Sequence, residues 1–135
     1  IYQDRKLQVI NNSKATNLYS TLKAILNYEN IYLILGGRAK EKNFKKILNY
    51  NNKIIKIYLI GESTEIIFKQ LKNKILCEKC ENIEIATKKI LFDMKKKKTF
   101  NTMLFSPACA SFDQFINFEK RGNFFKKIVR KYLNE

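Results

Sequence analysis

The residues that could do chemistry are concentrated in three polar segments: NNSKATN at residues 11–17, GGRAK at 36–40 and SPACASFDQFINFEKRG at 106–122. Lys14 and Lys40 bring positive charges, and Thr16 and Ser111 bring hydroxyl groups. Groups of these kinds bind anions, especially carboxylates and phosphates. We call the segments the first, second and third loops.

The first two loops each have two interpretations. Lys14, together with free backbone N–H groups, can hold an anion, but Thr16 or Asn17 can equally serve only to cap the following helix. In the second loop the paired glycines let the backbone turn tightly or approach a ligand. A turn that leaves Lys40 in solvent explains this loop when it is taken alone.

The third loop predicts a strand end followed by a capped helix. Pro107 stops the strand, and Ser111 and Gln114 have the S-x-x-Q spacing of a capping box. The hydroxyl of Ser111 and the first N–H groups of that helix would face outward and suit a carboxylate. A helix cap without a ligand explains the same residues, and spacing alone places Phe115 and Phe118 in the core.

The three cysteines do not predict a metal or redox site. Cys77 and Cys80 form a CxxC pair, but the chain has no histidine and only Cys109 besides. A zinc site needs about four ligands, and a redox CxxC would open a helix. Cys109 lacks a histidine to activate it as a nucleophile. The odd count and the lack of a signal peptide favour a reducing cytoplasm.

Apolar periodicity predicts the elements that position the three loops. Strands are predicted at 7–10, 31–35, 54–60, 74–77 and 102–105, with residues 1–2 pairing as a hairpin. Helices are predicted from Asn17, around 44–48, after a Ser63 cap, at 83–94 and at 125–133. This alternation predicts an α/β, Rossmann-like fold, with a mostly parallel five- to six-stranded sheet and helices on both faces. Ligands of such sheets bind beyond the carboxyl ends of the strands.

Composition narrows the class of protein. The chain has 135 residues, 45% of them hydrophobic, which predicts one folded domain and excludes general disorder. No apolar run approaches the roughly 20 residues that span a bilayer. The chain lacks an initiator Met, and we expect it to be a piece of a longer protein. Its net charge of +15 suggests either a nucleic-acid partner or a general bias toward Lys, Asn and Ile, and the even spread of lysines favours the bias.

The three loops, in this order and at these separations, closely resemble the C-terminal domain of the Mur ligase family. The likeness covers essentially all 135 residues, and it points to the members that add D-glutamate to UDP-N-acetylmuramoyl-L-alanine in peptidoglycan synthesis. It implies a single amino-acid-binding domain at 1–135, without the N-terminal UDP-binding and central ATP-binding domains. In the family, ATP converts the alanine carboxylate to an acyl phosphate, and the amine of D-glutamate attacks it.

The resemblance also implies a role for individual residues. Lys14 would act catalytically, near phosphate or the substrate carboxylates. The D-glutamate contacts would be Thr16, Lys40, Ser111, the N–H of Phe112, and Phe118 as a pocket wall. Asn12 stands where the family usually has Asp on the nucleotide side, so nucleotide contacts made with Lys14 are in doubt.

The resemblance further implies partners and cofactors. ATP and Mg²⁺ would be held mainly by the missing central domain, because this chain has neither a P-loop nor an acidic metal cluster. The isolated domain is therefore expected to be an inactive, cytoplasmic monomer without its own metal site. Two alternatives stay open: a basic nucleic-acid-binding module, and a folded remnant of a decayed ligase gene.

Overall fold

The computed structural model describes residues 1–133. Six strands form a single sheet: β1 (Tyr2–Gln3), β2 (Leu7–Asn11), β3 (Ile31–Gly36), β4 (Ile54–Ile60), β5 (Cys77–Glu81) and β6 (Asn101–Phe105). Four α-helices and one 3₁₀ helix connect them: α1 (Leu18–Ile25), the 3₁₀ helix (Lys45–Tyr50), α2 (Thr64–Leu71), α3 (Ile83–Met94) and α4 (Phe118–Leu133).

The strand order is β1-β2-β6-β3-β4-β5, and every pair is parallel except the β1–β2 hairpin. The two most central strands, β6 and β3, are buried along their whole length. This burial explains their continuous apolar sequences, because a parallel strand covered on both faces has no solvent side. The predicted α/β fold and the predicted hairpin are confirmed.

Helices cover both faces of the sheet, as predicted. Because side chains alternate along a strand, Leu33 and Leu35 of β3 join a core beneath α1, the 3₁₀ helix and α2. Tyr32 and Ile34 point the other way, into a core beneath α3 and α4. Each helix contributes an apolar stripe to its own core, in agreement with the amphipathic spacing of the sequence.

Three local predictions were wrong. The edge strand lies at Cys77–Glu81 rather than 74–77, because residues 74 and 75 close the end of α2 by donating their N–H groups to the Leu71 carbonyl. The segment around 44–48 is a 3₁₀ helix rather than an α-helix. Ser63 precedes α2, but its hydroxyl makes no capping bond, since it accepts a hydrogen bond from Gly37 N instead.

Candidate functional site

The sheet register brings the three loops to one edge. Asn11, the last residue of β2, lies opposite Phe105, the last residue of β6. Gly36 ends β3 opposite Ile60, which ends β4. The first, third and second loops therefore leave the carboxyl edge from three adjacent strands, the position where open α/β sheets bind ligands.

The first and third loops are joined by direct hydrogen bonds. Asn12 N donates to the Phe105 carbonyl at 2.7 Å, and Asn12 Nδ2 donates to Ser106 Oγ at 3.0 Å. Ser106 Oγ in turn donates to Thr21 Oγ1 at 3.1 Å, and Thr21 Oγ1 donates to the Ser106 carbonyl at 3.0 Å. The side chain of Asn12 thus has a partner inside the protein.

The second and third loops are joined through their backbones. Arg38 and Ala110 exchange both N–H···O=C bonds at 2.9 Å, as in a short antiparallel bridge. Gly37, with φ of +137°, lies so close to this bridge that a Cβ atom there would be 2.6 Å from the Ala110 carbonyl oxygen. Only glycine fits a position with both this φ and this contact, which explains part of the GGRAK sequence.

A buried arginine completes the connection between the first and third loops. Arg121 of α4 is only 2% exposed. Its guanidinium donates to the Cys109 carbonyl at 2.8 Å, to the Ser13 carbonyl at 2.7 Å and to Ser13 Oγ at 3.0 Å. Ser13 Oγ then donates to the Phe118 carbonyl at 2.7 Å. Burial lowers the pKa of Arg121 to about 10, yet the group stays charged at neutral pH.

Sequence reasoning missed Arg121. It belongs to the third loop, but it lies in an amphipathic helix where a charged residue normally faces solvent. Its partner Cys109 lies 12 residues earlier in the same loop, but its partner Ser13 lies 108 residues away, in the first loop. The one signal beside it in the sequence is Gly122, which lets the helix approach Ser13 closely.

The predicted capping box at Ser111 does not form. The Ser111 carbonyl, not its hydroxyl, accepts the N–H groups of Gln114 and Phe115, which makes a single turn. The helix α4 begins later, at Phe118, and Asn117 caps it by accepting the Lys120 N–H at 2.8 Å. The third loop is therefore an irregular turn between β6 and α4.

Two side chains of this turn fasten it to neighbouring strands, which explains why no capping box closes. Asp113 Oδ2 accepts the N–H of Glu62, just after β4, at 3.0 Å. Gln114 Nε2 donates to the Glu81 carbonyl at the end of β5 at 2.9 Å. The glutamine is thus turned away from Ser111.

The turn leaves hydrogen-bonding groups available for a ligand. Within residues 1–133, the N–H groups of Phe112 and Asp113 and the hydroxyl of Ser111 have no hydrogen-bond partner. Two consecutive N–H groups beside a hydroxyl are suited to a carboxylate or phosphate oxygen. The hydroxyl and N–H groups predicted to face an anion are therefore unpaired in the described residues, although Ser111 is 2% exposed and they belong to a turn and not to a helix start.

The remaining predicted contacts belong to the same three loops. The side chains of Lys14 and Lys40 are exposed and form no ion pair in the described part of the chain. Phe118 is half-buried and lines a groove of about 430 Å³ with Lys14. Thr16 is half-buried, and Phe112 is 62% exposed. The cations are thus free for an anionic ligand.

The cysteines do not contribute reactive groups to this edge. Cys109 is fully buried, 3.6 Å from Ser63 Oγ, and its burial raises the pKa of the thiol to about 11. Burial likewise raises the pKa values of Cys77 and Cys80 to about 11. In residues 1–133, no three His, Cys, Asp or Glu side chains are grouped as a metal site.

Comparison with known proteins concerns the chain as a whole. No family model matches the chain. The UDP-N-acetylmuramoylalanine–D-glutamate ligase of Wolbachia sp. subsp. Brugia malayi is 46% identical over 122 residues, 90% of this chain and 24% of that protein. The ligase of the same name from Rickettsia felis is 38% identical over 131 residues, 93% of this chain and 28% of that protein. Over nearly its whole length, the chain is thus similar to part of the UDP-N-acetylmuramoylalanine–D-glutamate ligases.

The chain spans about a quarter of the length of these curated Mur ligases. A solved structure also matches: the UDP-N-acetylmuramate–alanine ligase MurC of Thermotoga maritima, with a TM-score of 0.52 and 16% identity. The matched region covers 96% of this chain and 29% of the MurC chain. At 16% identity, the match supports the fold alone. No helix within residues 1–133 has the length and apolar character needed to cross a membrane.

Proposed function

We propose that this chain is the amino-acid-binding domain of a cytoplasmic ligase that adds D-glutamate to UDP-N-acetylmuramoyl-L-alanine in peptidoglycan synthesis. The observation that carries the proposal is the joining of the three loops at the carboxyl edge, in a chain 46% identical to a D-glutamate ligase. D-Glutamate has two carboxylates, and this edge offers two free lysines together with free N–H groups. The positive charges and N–H donors of this edge therefore match the two carboxylates of D-glutamate.

In this proposal each loop contributes to one task, the binding and orientation of D-glutamate. Lys40 pairs with one carboxylate, and Ser111 with the Phe112 N–H holds the other. Thr16 and Phe118 border the substrate, and Lys14 lies toward the acceptor carboxylate. The lysines need no charge change to do this, and their role is to place the amine of D-glutamate against the activated acceptor.

ATP activates the acceptor carboxylate in the proposed reaction, but the described residues do not offer a site for its magnesium. Within residues 1–133, no three His, Cys, Asp or Glu side chains are grouped so that they could hold a metal ion. We therefore assign ATP, Mg²⁺ and the UDP-sugar to parts of the enzyme outside this chain. This domain would cover the substrate as one wall of the active site.

The experiment that tests the proposal uses the whole enzyme to which this chain belongs. Purified enzyme is incubated with ATP and UDP-N-acetylmuramoyl-L-alanine, and phosphate release is measured with D-glutamate, L-glutamate or L-alanine. We expect release only with D-glutamate, and none when residues 1–135 are assayed alone. Release with another amino acid but not with D-glutamate would show that the substrate is wrong.

A further inference from the structure

Glu41, the residue after Lys40, binds to an element other than its own loop. Its Oε1 accepts the N–H of Leu18, the first residue of α1, at 3.1 Å. A carboxylate is stabilised there, because the N-terminus of a helix carries unpaired N–H groups and partial positive charge. The residue is half-buried, and its second oxygen, Oε2, is buried without a hydrogen-bond donor in residues 1–133.

A buried carboxylate oxygen without a donor is costly. Stability of α1 does not require this arrangement, since Asn17 already caps the helix by accepting the Ser20 N–H at 2.9 Å. The Glu41 contact adds something that Asn17 cannot, a bond between the second loop and the element that follows the first loop. The bond between Glu41 and Leu18 therefore affects how the second loop is placed relative to the first loop.

Lys40 lies between two fixed points of the second loop. On one side Arg38 is bridged to Ala110 through both backbone bonds. On the other side Glu41 is bonded to α1, and only Ala39 and Lys40 lie between these two anchors. Arg38 is anchored through its backbone and Glu41 through its side chain, and fixing the residues on both sides of a flexible lysine lowers the entropy lost when its ammonium group meets a ligand.

We propose that Glu41 is a positioning residue for D-glutamate binding, which holds Lys40 at a fixed distance from Thr16 by bonding to the start of α1. The inference rests on the function proposed above. Glu41 itself does not touch the substrate, because the oxygen that is free of partners is buried. Its removal should weaken substrate binding more than it slows turnover.

The test compares Glu41→Ala with three other variants in the whole enzyme. We expect Glu41→Ala to raise the KM for D-glutamate about tenfold, the scale of one weakened charge-assisted contact, with kcat within about twofold. Glu41→Gln should stay within about twofold of the natural KM, since its amide oxygen can still accept the Leu18 N–H. Lys40→Ala, which removes the proposed ligand itself, should raise the same KM.

Asn17→Ala is the matched control, because it removes another acceptor from the same helix end without releasing the second loop. It should lower the thermal unfolding midpoint but leave the KM for D-glutamate unchanged. If Glu41→Ala keeps the natural KM, or if Asn17→Ala raises it equally, the role of Glu41 is wrong. If Lys40→Ala also keeps the natural KM, the proposed binding site is wrong as well.

Discussion

Arg121 joins two of the three loops of the candidate site through its own side chain. Its three hydrogen bonds hold Ser13, which precedes Lys14, and Cys109, which lies two residues before Ser111. The guanidinium fork matches three acceptors in fixed directions, which a single ammonium group cannot do. The placement of the first and third loops therefore depends on an arginine that is buried and that, in our proposal, does not contact the ligand.

Replacing Arg121 should lower the stability of the domain. We expect Arg121→Lys to lower the free energy of unfolding of residues 1–135 by about 3 kcal/mol, because buried carbonyl groups lose their donors. Urea denaturation followed by circular dichroism measures the change. Arg130→Lys, an exposed position on the same helix, is the control and should stay within about 0.5 kcal/mol. Equal losses in both variants would show that the bonds of Arg121 do not stabilise the fold.

At the scale of elements, a polar network connects the sheet to α3. Lys56 Nζ of β4 donates to Glu78 Oε1 of β5 at 2.7 Å and to Asp93 Oδ2 of α3 at 2.9 Å. Tyr58 OH donates to the same oxygen of Asp93 at 2.5 Å. Burial alone would raise the pKa values of Asp93 and Glu78, but the bonds from Lys56, Tyr58 and Lys89 outweigh it and lower both pKa values.

This network should make the domain sensitive to acid. A carboxylate whose pKa is lowered by folding contributes stability above its unfolded pKa and loses it as the pH falls through its folded pKa. We expect the urea midpoint to fall between about pH 5 and pH 3, and to fall less in a Glu78→Gln/Asp93→Asn variant. Glu119→Gln, which removes an exposed carboxylate, should keep the natural pH profile. The same slope in all three proteins would contradict the role of the network.

The elements that could be predicted from the sequence are those whose own apolar pattern is enough to specify a strand or a helix. The apolar runs of β3 and β4 and the spacing of α3 each predict one structure, because burial on both faces or on one face dictates the pattern. The strand β5 was misplaced because it is an edge strand with only Cys80 buried. Apolar spacing then favoured residues 74–77, of which 74 and 75 in fact close the end of α2 and only Cys77 belongs to β5.

The site was predicted less completely, because the hydrogen bonds that shape it join residues far apart in the sequence. The loops could be assigned to one sheet edge because the strands were predicted to be mostly parallel, and Lys14, Lys40 and Ser111 could be selected by chemistry. The hydrogen bonds that shape those loops could not be predicted, because Asp113, Gln114 and Arg121 bond to residues far away in the sequence. Local spacing suggested a capping box where long-range bonds produce a turn.

For the molecule as a whole, the large positive charge is not gathered at one surface. Exposed lysines occur on α1 and α2, which cover one face of the sheet, and on α3 and α4, which cover the other. This distribution is typical of a general lysine bias, whereas a nucleic-acid-binding face collects its charge in a stripe. The two lysines of the candidate site are therefore distinguished by their place at the carboxyl edge, not by local charge density.

We propose above that the three joined loops bind D-glutamate. The most direct test of this proposal is the KM for D-glutamate in the whole enzyme carrying Lys40→Ala or Ser111→Ala, with Lys127→Ala on the outer side of α4 as control. Each site variant should raise this KM about tenfold or more and leave the KM for ATP unchanged, since one charge-assisted contact is lost. Natural KM values for D-glutamate in both site variants would contradict the claim.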